Sequence, residues 1–215
     1  MSERNKLIIL GTHLFAEEVA DLVADCDRFE LVAFAENWDR GRAGSTLLGH
    51  PIIWVDDLAP LAPTHEAICA IGTTRRDAFV EQVQALGVRF ATVCHPTARV
   101  SPTAAVGAGS ILSAGAIVAA HTTLGRHVIV NRGSLIGHHT VIGDYVTVSP
   151  GANVAGCVRI GSGSYVGMGA VILDRVTVGE SAVVGAGALV ARDVPDNGEV
   201  VAVPARLLST EGQGR

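Results

Sequence analysis

Aromatic residues make up only 4% of this chain, against 48% hydrophobic residues overall. A core built around stacked rings is therefore excluded, and Val, Ile, Leu and Ala must fill it. Cysteine is scarce too: Cys26, Cys69, Cys94 and Cys157 stand far apart without CxxC spacing, so neither a disulfide framework nor a zinc cluster is expected. A strong charge of one sign is also missing. The net charge of −5 offers no basic surface, and no nucleic-acid partner is expected. No apolar run approaches the roughly 18 residues of a membrane span, and the opening MSERNKLIIL lacks the apolar stretch of a secretory signal. The expectation is a cytoplasmic protein without a membrane span.

What the chain has is a period. Sixteen aliphatic residues stand six apart without a slip, from Val100, Val106, Leu112 and Val118 through Ile136, Ile142 and Val148 to Val184 and Val190. Two residues before them lie small or β-branched side chains such as Ala116, Thr122, Ser134, Thr140, Ala152 and Ser164, and glycine often follows, as at Gly125, Gly137, Gly143 and Gly161. Period six fits neither a helix nor an ordinary alternating strand. It fits a solenoid of short strands joined by tight turns, with the aliphatic residue inward, the small residue at the corner and glycine relieving turn torsions.

Before residue 95 the pattern changes. Lys6 to Leu10, Phe29 to Phe34, Ala67 to Ile71 and Val88 to Val93 read as strands, and Leu14 to Ala24 and Arg76 to Leu86 as helices, which makes a small parallel βαβ domain. In such a sheet ligands bind beyond the carboxyl ends of the strands, here at Gly11, Thr12 and His13 and at Gly72, Thr73 and Arg75. The turn LIILGTHLFAEEV has only Gly11 where a dinucleotide fingerprint needs G-x-G-x-x-G, so the helix start suits one phosphate or a uracil-like ring instead. IGTTRR adds backbone NH groups, hydroxyls and guanidinium groups for a diphosphate. The expected division is 1–95 for this Rossmann-like, nucleotide-sugar-binding-like α/β domain, 96–195 for the solenoid and 196–215 for a tail.

The order of these parts, HPTARVSPTAAVGAGS at the junction and the stretch NRGSLIGHHTVIGDYVTVSPGANVAGCVRIG from Asn131 to Gly161 resemble the bacterial hexapeptide-repeat sugar acetyltransferases that include bacillosamine N-acetyltransferase and sialic acid O-acetyltransferase. The resemblance covers nearly the whole chain, including the closing VPDNGEVVAVPARLL. It implies a left-handed parallel β-helix with three hexads per coil, a homotrimer, and acetyl-CoA lying along the solenoid between two subunits. It also implies roles: Asn131 on the sugar, His138 as the general base, and Gly156, Met168 and Ala186 near acetyl-CoA. The family commonly follows the base with Asp or Glu, where this chain has His139, and has a second histidine where this chain has Thr147 at the thioester pocket. His13, Leu14 and Phe15 fill a turn that the family makes richer in glycine.

Imidazole has the intrinsic pKa to take a proton from an acceptor near neutral pH. His138 ends a short side of the solenoid, and Gly156, eighteen residues on, stacks beside it at a coil spacing of about 4.8 Å, where its NH serves an oxyanion. His138 and His139 are thus the expected catalytic pair, oriented by His121 or Asp144. The expected reaction is N-acetylation of a nucleotide-linked deoxyaminosugar in lipopolysaccharide or glycan biosynthesis. Sugar O-acetylation is the alternative, as is a metal-dependent protein like the γ-class carbonic anhydrases, or a binding protein, on the same trimeric scaffold. Those anhydrases bind zinc through two histidines five apart and a third on a neighbouring face; His121, His127, His138 and His139 supply no such pair, so no metal is expected.

Overall fold

The computed structural model describes residues 4–203 and 206–209. Of the expected tail, residues 204–205 and 210–215 lie outside the described residues. The N-terminal domain opens with β1 (Asn5–Leu10), α1 (Leu14–Ala24) and β2 (Phe29–Glu36). It continues through β3 (Thr46–Leu47), β4 (His50–Trp54), β5 (His65–Cys69), α2 (Asp77–Ala85) and β6 (Arg89–Phe90). The sheet order is β3-β4-β2-β1-β5-β6, parallel except for β3 against β4. Leu7 to Leu10 of β1 are buried on both faces, as a central parallel strand requires. On one face Leu7 and Ile9 pack with Ala16, Val19 and Val23 of α1; on the other, Ile8 and Leu10 pack with Phe79, Val80 and Val83 of α2. The chain leaves β1 to opposite sides for β2 and β5, so the topological switch point lies at Gly11 and Ala70–Gly72.

The second domain is the left-handed parallel β-helix. Strands of two residues pair in register with those eighteen residues on, as Ile111 with Ile129 and Leu135 with Asn153. Three sheets form the sides of a prism. The first side runs from Val93–Cys94 through Ile129–Val130 to Glu199–Val201, ahead of His95 at one end and past residue 195 at the other. The second runs from Arg99–Val100 through Leu135–Ile136 to Leu189–Val190, and the third from Ala105–Val106 through Val141–Ile142 to Thr177–Val178. The period-six aliphatics fill the interior. The corner hydroxyls of Thr122, Ser134, Thr140 and Ser164 donate to carbonyls of the next coil at 2.7–3.1 Å, which satisfies them where water does not reach.

Three sequence expectations change. The strand read over Val88 to Val93 is two: Arg89–Phe90 joins β5 and Val93–Cys94 joins the prism. The β3–β4 hairpin and the 3₁₀ segment Val55–Leu61 lie where no element was expected. The glycines after the aliphatic residues do not relieve turn torsions. They admit close approach, since a Cβ on Gly143 would stand 2.6 Å from the Ser162 nitrogen of the next coil. From Gly109 to Gly187, positive φ falls instead on the second residue of each turn.

The N-terminal domain is docked on the first side. Ile111 and Ile129 point out of the prism there and are buried with α1, whereas Ile117 and Leu135, in the same place on the second side, remain 40% and 37% exposed.

Candidate active site

The turn residues form three columns. Between the first and second sides every left-handed turn residue is glycine: Gly115, Gly133, Gly151, Gly169 and Gly187. Between the second and third sides the column is His121, His139, Cys157 and Arg175, all with φ of +57° to +62°. A side chain in that region carries a backbone cost of about 1 kcal/mol, so this second corner holds chemical groups where the first holds none.

His138 precedes His139 on the second corner, and both rings are exposed. Their Nδ1 atoms are 3.1 Å apart and the rings stand at 86°. The His138 ring lies over Gly156 of the next coil, where a Cβ would come within 2.7 Å of its Cε1 and Nε2. Cys157 NH donates to the His138 carbonyl at 2.8 Å, whereas the Gly156 NH donates to no group among the described residues. The exposed His138 imidazole thus lies against Gly156, whose backbone NH is open. His121 reaches the pair, its ring 4.8 Å from that of His139. Asp144 does not: it sits at the third corner, where its carboxylate takes the backbone NH and guanidinium of Arg126 at 2.8 and 2.9 Å. Burial would push Asp144 up, but these Arg126 contacts hold it below the usual carboxylate range.

The other expected site residues lie elsewhere on the protomer. Asn131 is buried at the first corner, its side-chain amide donating to the Val148 carbonyl at 3.2 Å, and Met168 and Ala186 are exposed along the same corner. The full second side separates them from His138. Thr147 is buried under the N-terminal domain, where its hydroxyl accepts from Arg76 at 2.9 Å and donates to the Gly72 carbonyl at 3.2 Å. It therefore does not join His138 and Gly156.

At the switch point, Gly11 needs its φ of +109° and its missing Cβ, which would lie 3.3 Å from the Ala70 carbonyl oxygen. Thr12 is buried and donates its hydroxyl to Glu36. Glu36 also accepts the NH groups of Asn37, Trp38 and Asp39 at 2.8–3.4 Å. Burial would raise its pKa, but these donors hold it below the usual range. With Arg42 donating to the Thr12 carbonyl at 2.7 Å, the loop is fixed from beneath and presents the exposed His13 at the start of α1. Glu36 and Arg42 were missed in the sequence; an acid closing a strand beside the Gly11 loop was the available signal. Thr73 and Arg75 are exposed, and Arg75 lines a polar cleft of about 440 Å³ with Thr74, Tyr145, Tyr165 and Glu180 at the third corner. Arg76 is buried and consumed by protein carbonyls, so of the two guanidinium groups expected near the switch point only that of Arg75 is exposed.

The family model described as "Bacterial transferase hexapeptide (six repeats)" matches residues 139–174 and 157–192. Among solved structures, the chain is similar to the acetyltransferase domain of PglB from Neisseria gonorrhoeae in complex with acetyl coenzyme A, at 34% identity over 96% of this chain and 100% of that one, TM-score 0.88. WeeI from Acinetobacter baumannii is 31% identical over 94% of this chain and 99% of its own, TM-score 0.85. A single-residue variant of perosamine N-acetyltransferase from Caulobacter crescentus, in complex with CoA and GDP-perosamine, is 27% identical over 95% and 97%, TM-score 0.87. None of the curated proteins matches.

Proposed function

The chain belongs to the bacterial hexapeptide-repeat sugar acetyltransferases, and from that membership we propose that it moves the acetyl group of acetyl-CoA onto an amino group of a nucleotide-linked deoxyaminosugar. The observation that carries this reading is the His138 imidazole lying over Gly156, with an open NH beside it. The perosamine enzyme, similar along nearly its whole length, holds CoA and a nucleotide-linked aminosugar together.

The residues divide the work as follows. His138 Nε2 takes the proton that the acceptor nitrogen sheds as it attacks the thioester carbonyl. The C–N bond forms, and the carbonyl oxygen, now negative, is met by the Gly156 NH. As the C–S bond breaks, the proton on His138 passes to the departing sulfur, so the products are the amide and free CoA thiol. No metal takes part in these steps. The switch-point loop with Gly11 and His13, together with Gly72, Thr73 and Arg75, receives the nucleotide, and Asn131 faces the sugar.

Because Asn131, Met168 and Ala186 occupy the first corner and His138 the second, one chain does not assemble the whole site. Exposed Ile117, Leu135 and Val171 along the second side favour side-by-side packing with copies of the chain, and a homotrimer would bring the first corner of one protomer to the second corner of the next. No helix among the described residues is long and apolar enough to cross a membrane; we place the enzyme in the cytoplasm, where CoA and nucleotide sugars meet.

The test is a panel of nucleotide-linked aminosugars with acetyl-CoA, read by thiol release. One or more should turn over, and His138→Asn should lower kcat by about a hundredfold or more while acetyl-CoA still raises the Tm. Acetylation confined to sugars bearing hydroxyls and no amine would replace this reading with O-acetyl transfer.

A further inference from the structure

Neighbouring side chains along an extended strand point to opposite faces, so two consecutive rings meet only where the backbone turns. At His139 the left-handed φ of +57° provides that turn, and the Nδ1 atoms of His138 and His139 come to 3.1 Å. Two Nδ1 atoms at this distance hold one hydrogen between them: one ring donates and the other accepts with a bare lone pair. Among the described residues no acid hydrogen-bonds to the pair. The one histidine–carboxylate pair among the described residues is His95 with Asp25. At this corner the titratable or charged neighbours of the pair are the His121 ring at 4.8 Å and Cys157 on the adjoining coils, with Asp174 and Arg175, paired to each other at 2.8 Å, one coil further.

We propose that His139 is a positioning residue: its bare Nδ1 accepts the Nδ1–H of His138 and so locks His138 in the tautomer whose Nε2 lone pair is free over Gly156. This rests on the reading of His138 as the base, because only a bare Nε2 takes a proton from the acceptor. The opposite arrangement, with His139 donating, puts the hydrogen of His138 on Nε2 and disables it. An uncharged acceptor has a chemical consequence that a carboxylate does not. A proton on His139 turns it into a donor and flips the His138 tautomer, while a proton on His138 fills the base. The pair is competent only when both rings are neutral.

Imidazole ¹⁵N spectra of the wild-type protein at pH 8, with His138 assigned by its loss in His138→Asn, test the tautomer without requiring any turnover. We expect Nδ1 protonated and Nε2 bare in the wild type, and reversion to the Nε2–H form in His139→Phe. With the acceptor sugar in hand, His139→Phe should lose about tenfold in kcat while the KM for acetyl-CoA stays within about twofold. His139→Glu should keep kcat within about threefold at pH 8 and move the acid limb of kcat/KM upward by about one pH unit, because a fixed negative charge favours the His138 cation. An Nε2–H His138 in the wild type, or wild-type turnover in His139→Phe, overturns the proposal. Were no sugar acetylated, the proposed activity would fall while the nitrogen spectra still judged the pair.

Discussion

The guanidinium of Arg76, on the N-terminal domain, donates to the carbonyl of His127, on the prism, through Nε at 3.1 Å and a terminal nitrogen at 2.5 Å. The same group reaches the Thr73 and Val146 carbonyls and the Thr147 hydroxyl at 2.6–3.1 Å. Burial pushes Arg76 down to about 10, so it stays charged at neutral pH and is held by carbonyl dipoles with no carboxylate opposite. Arg76→Met, close in volume, should strand these acceptors and cost about 3 kcal/mol or more. Urea unfolding should report that loss, and limited proteolysis should cut within the N-terminal domain first.

Protonation of His127 works against the same joint. Its ring is wedged edge-on to Phe90 at 4.6 Å and stacked on Tyr145 at 5.2 Å, with Nδ1 unpartnered. Burial, then the charges of Arg76 and Arg126, against a weaker opposing pull from Asp144, push its pKa from 6.5 down to about 4. Between those values the unfolded chain binds more protons than the folded one, so this contribution is whole above pH 6.5 and is lost as pH falls toward 4. The loss is on the order of 3 kcal/mol. His127→Phe should flatten the slope of stability against pH across that window, whatever it does to the absolute level. Parallel slopes for the two proteins would show that His127 does not set it.

Gly156 keeps an ordinary φ, and the nearest obstacle alanine meets there is the His138 ring, 2.7 Å from the new Cβ. Gly156→Ala should therefore fold, displace the ring and lose acetyl transfer by about a hundredfold. Gly49→Ala, in the β3–β4 hairpin, provides the contrast: its φ is +81° with open space around a Cβ, and it should cost about 1 kcal/mol of stability and leave kcat unchanged.

The outer face of the second side can be tested by charge. Ile117→Arg together with Leu135→Asp should leave the prism interior intact, since both residues point outward, and should convert a trimer to monomers by light scattering. Activity should fall with the assembly if the site is shared between copies. A fully active monomer would separate the two ideas.

The prism was legible in the sequence because hexad periodicity is local: each aliphatic residue reports its own inward position, whatever lies a coil away. His138 beside Gly156 was legible for the same reason, once a coil of eighteen residues was assumed. What escaped depends on distance. Arg76 looked like a solvent-facing partner of Arg75, and only docking on the prism shows its guanidinium consumed. Asp144 looked near the catalytic pair in sequence, yet the third side of the prism separates them. The β3–β4 hairpin escaped for a different reason, since β3 is only two residues long, Pro51 interrupts the β4 run, and the hairpin is completed only by the pairing of β4 with β2.

As far as Val190 the strands of the prism pair with those eighteen residues on, and only the last coil is shorter, Val183 pairing with Glu199; over that stretch the length of the chain is a discrete variable. An inserted or deleted residue inside a side would rotate every later side chain out of step, turning valines to solvent and polar residues inward. Removing one whole turn of the screw only shortens the stack, like a disc taken from a column. Related proteins of this architecture should therefore differ in the length of the prism by whole turns, or by loops that bulge from a corner and leave the thread untouched.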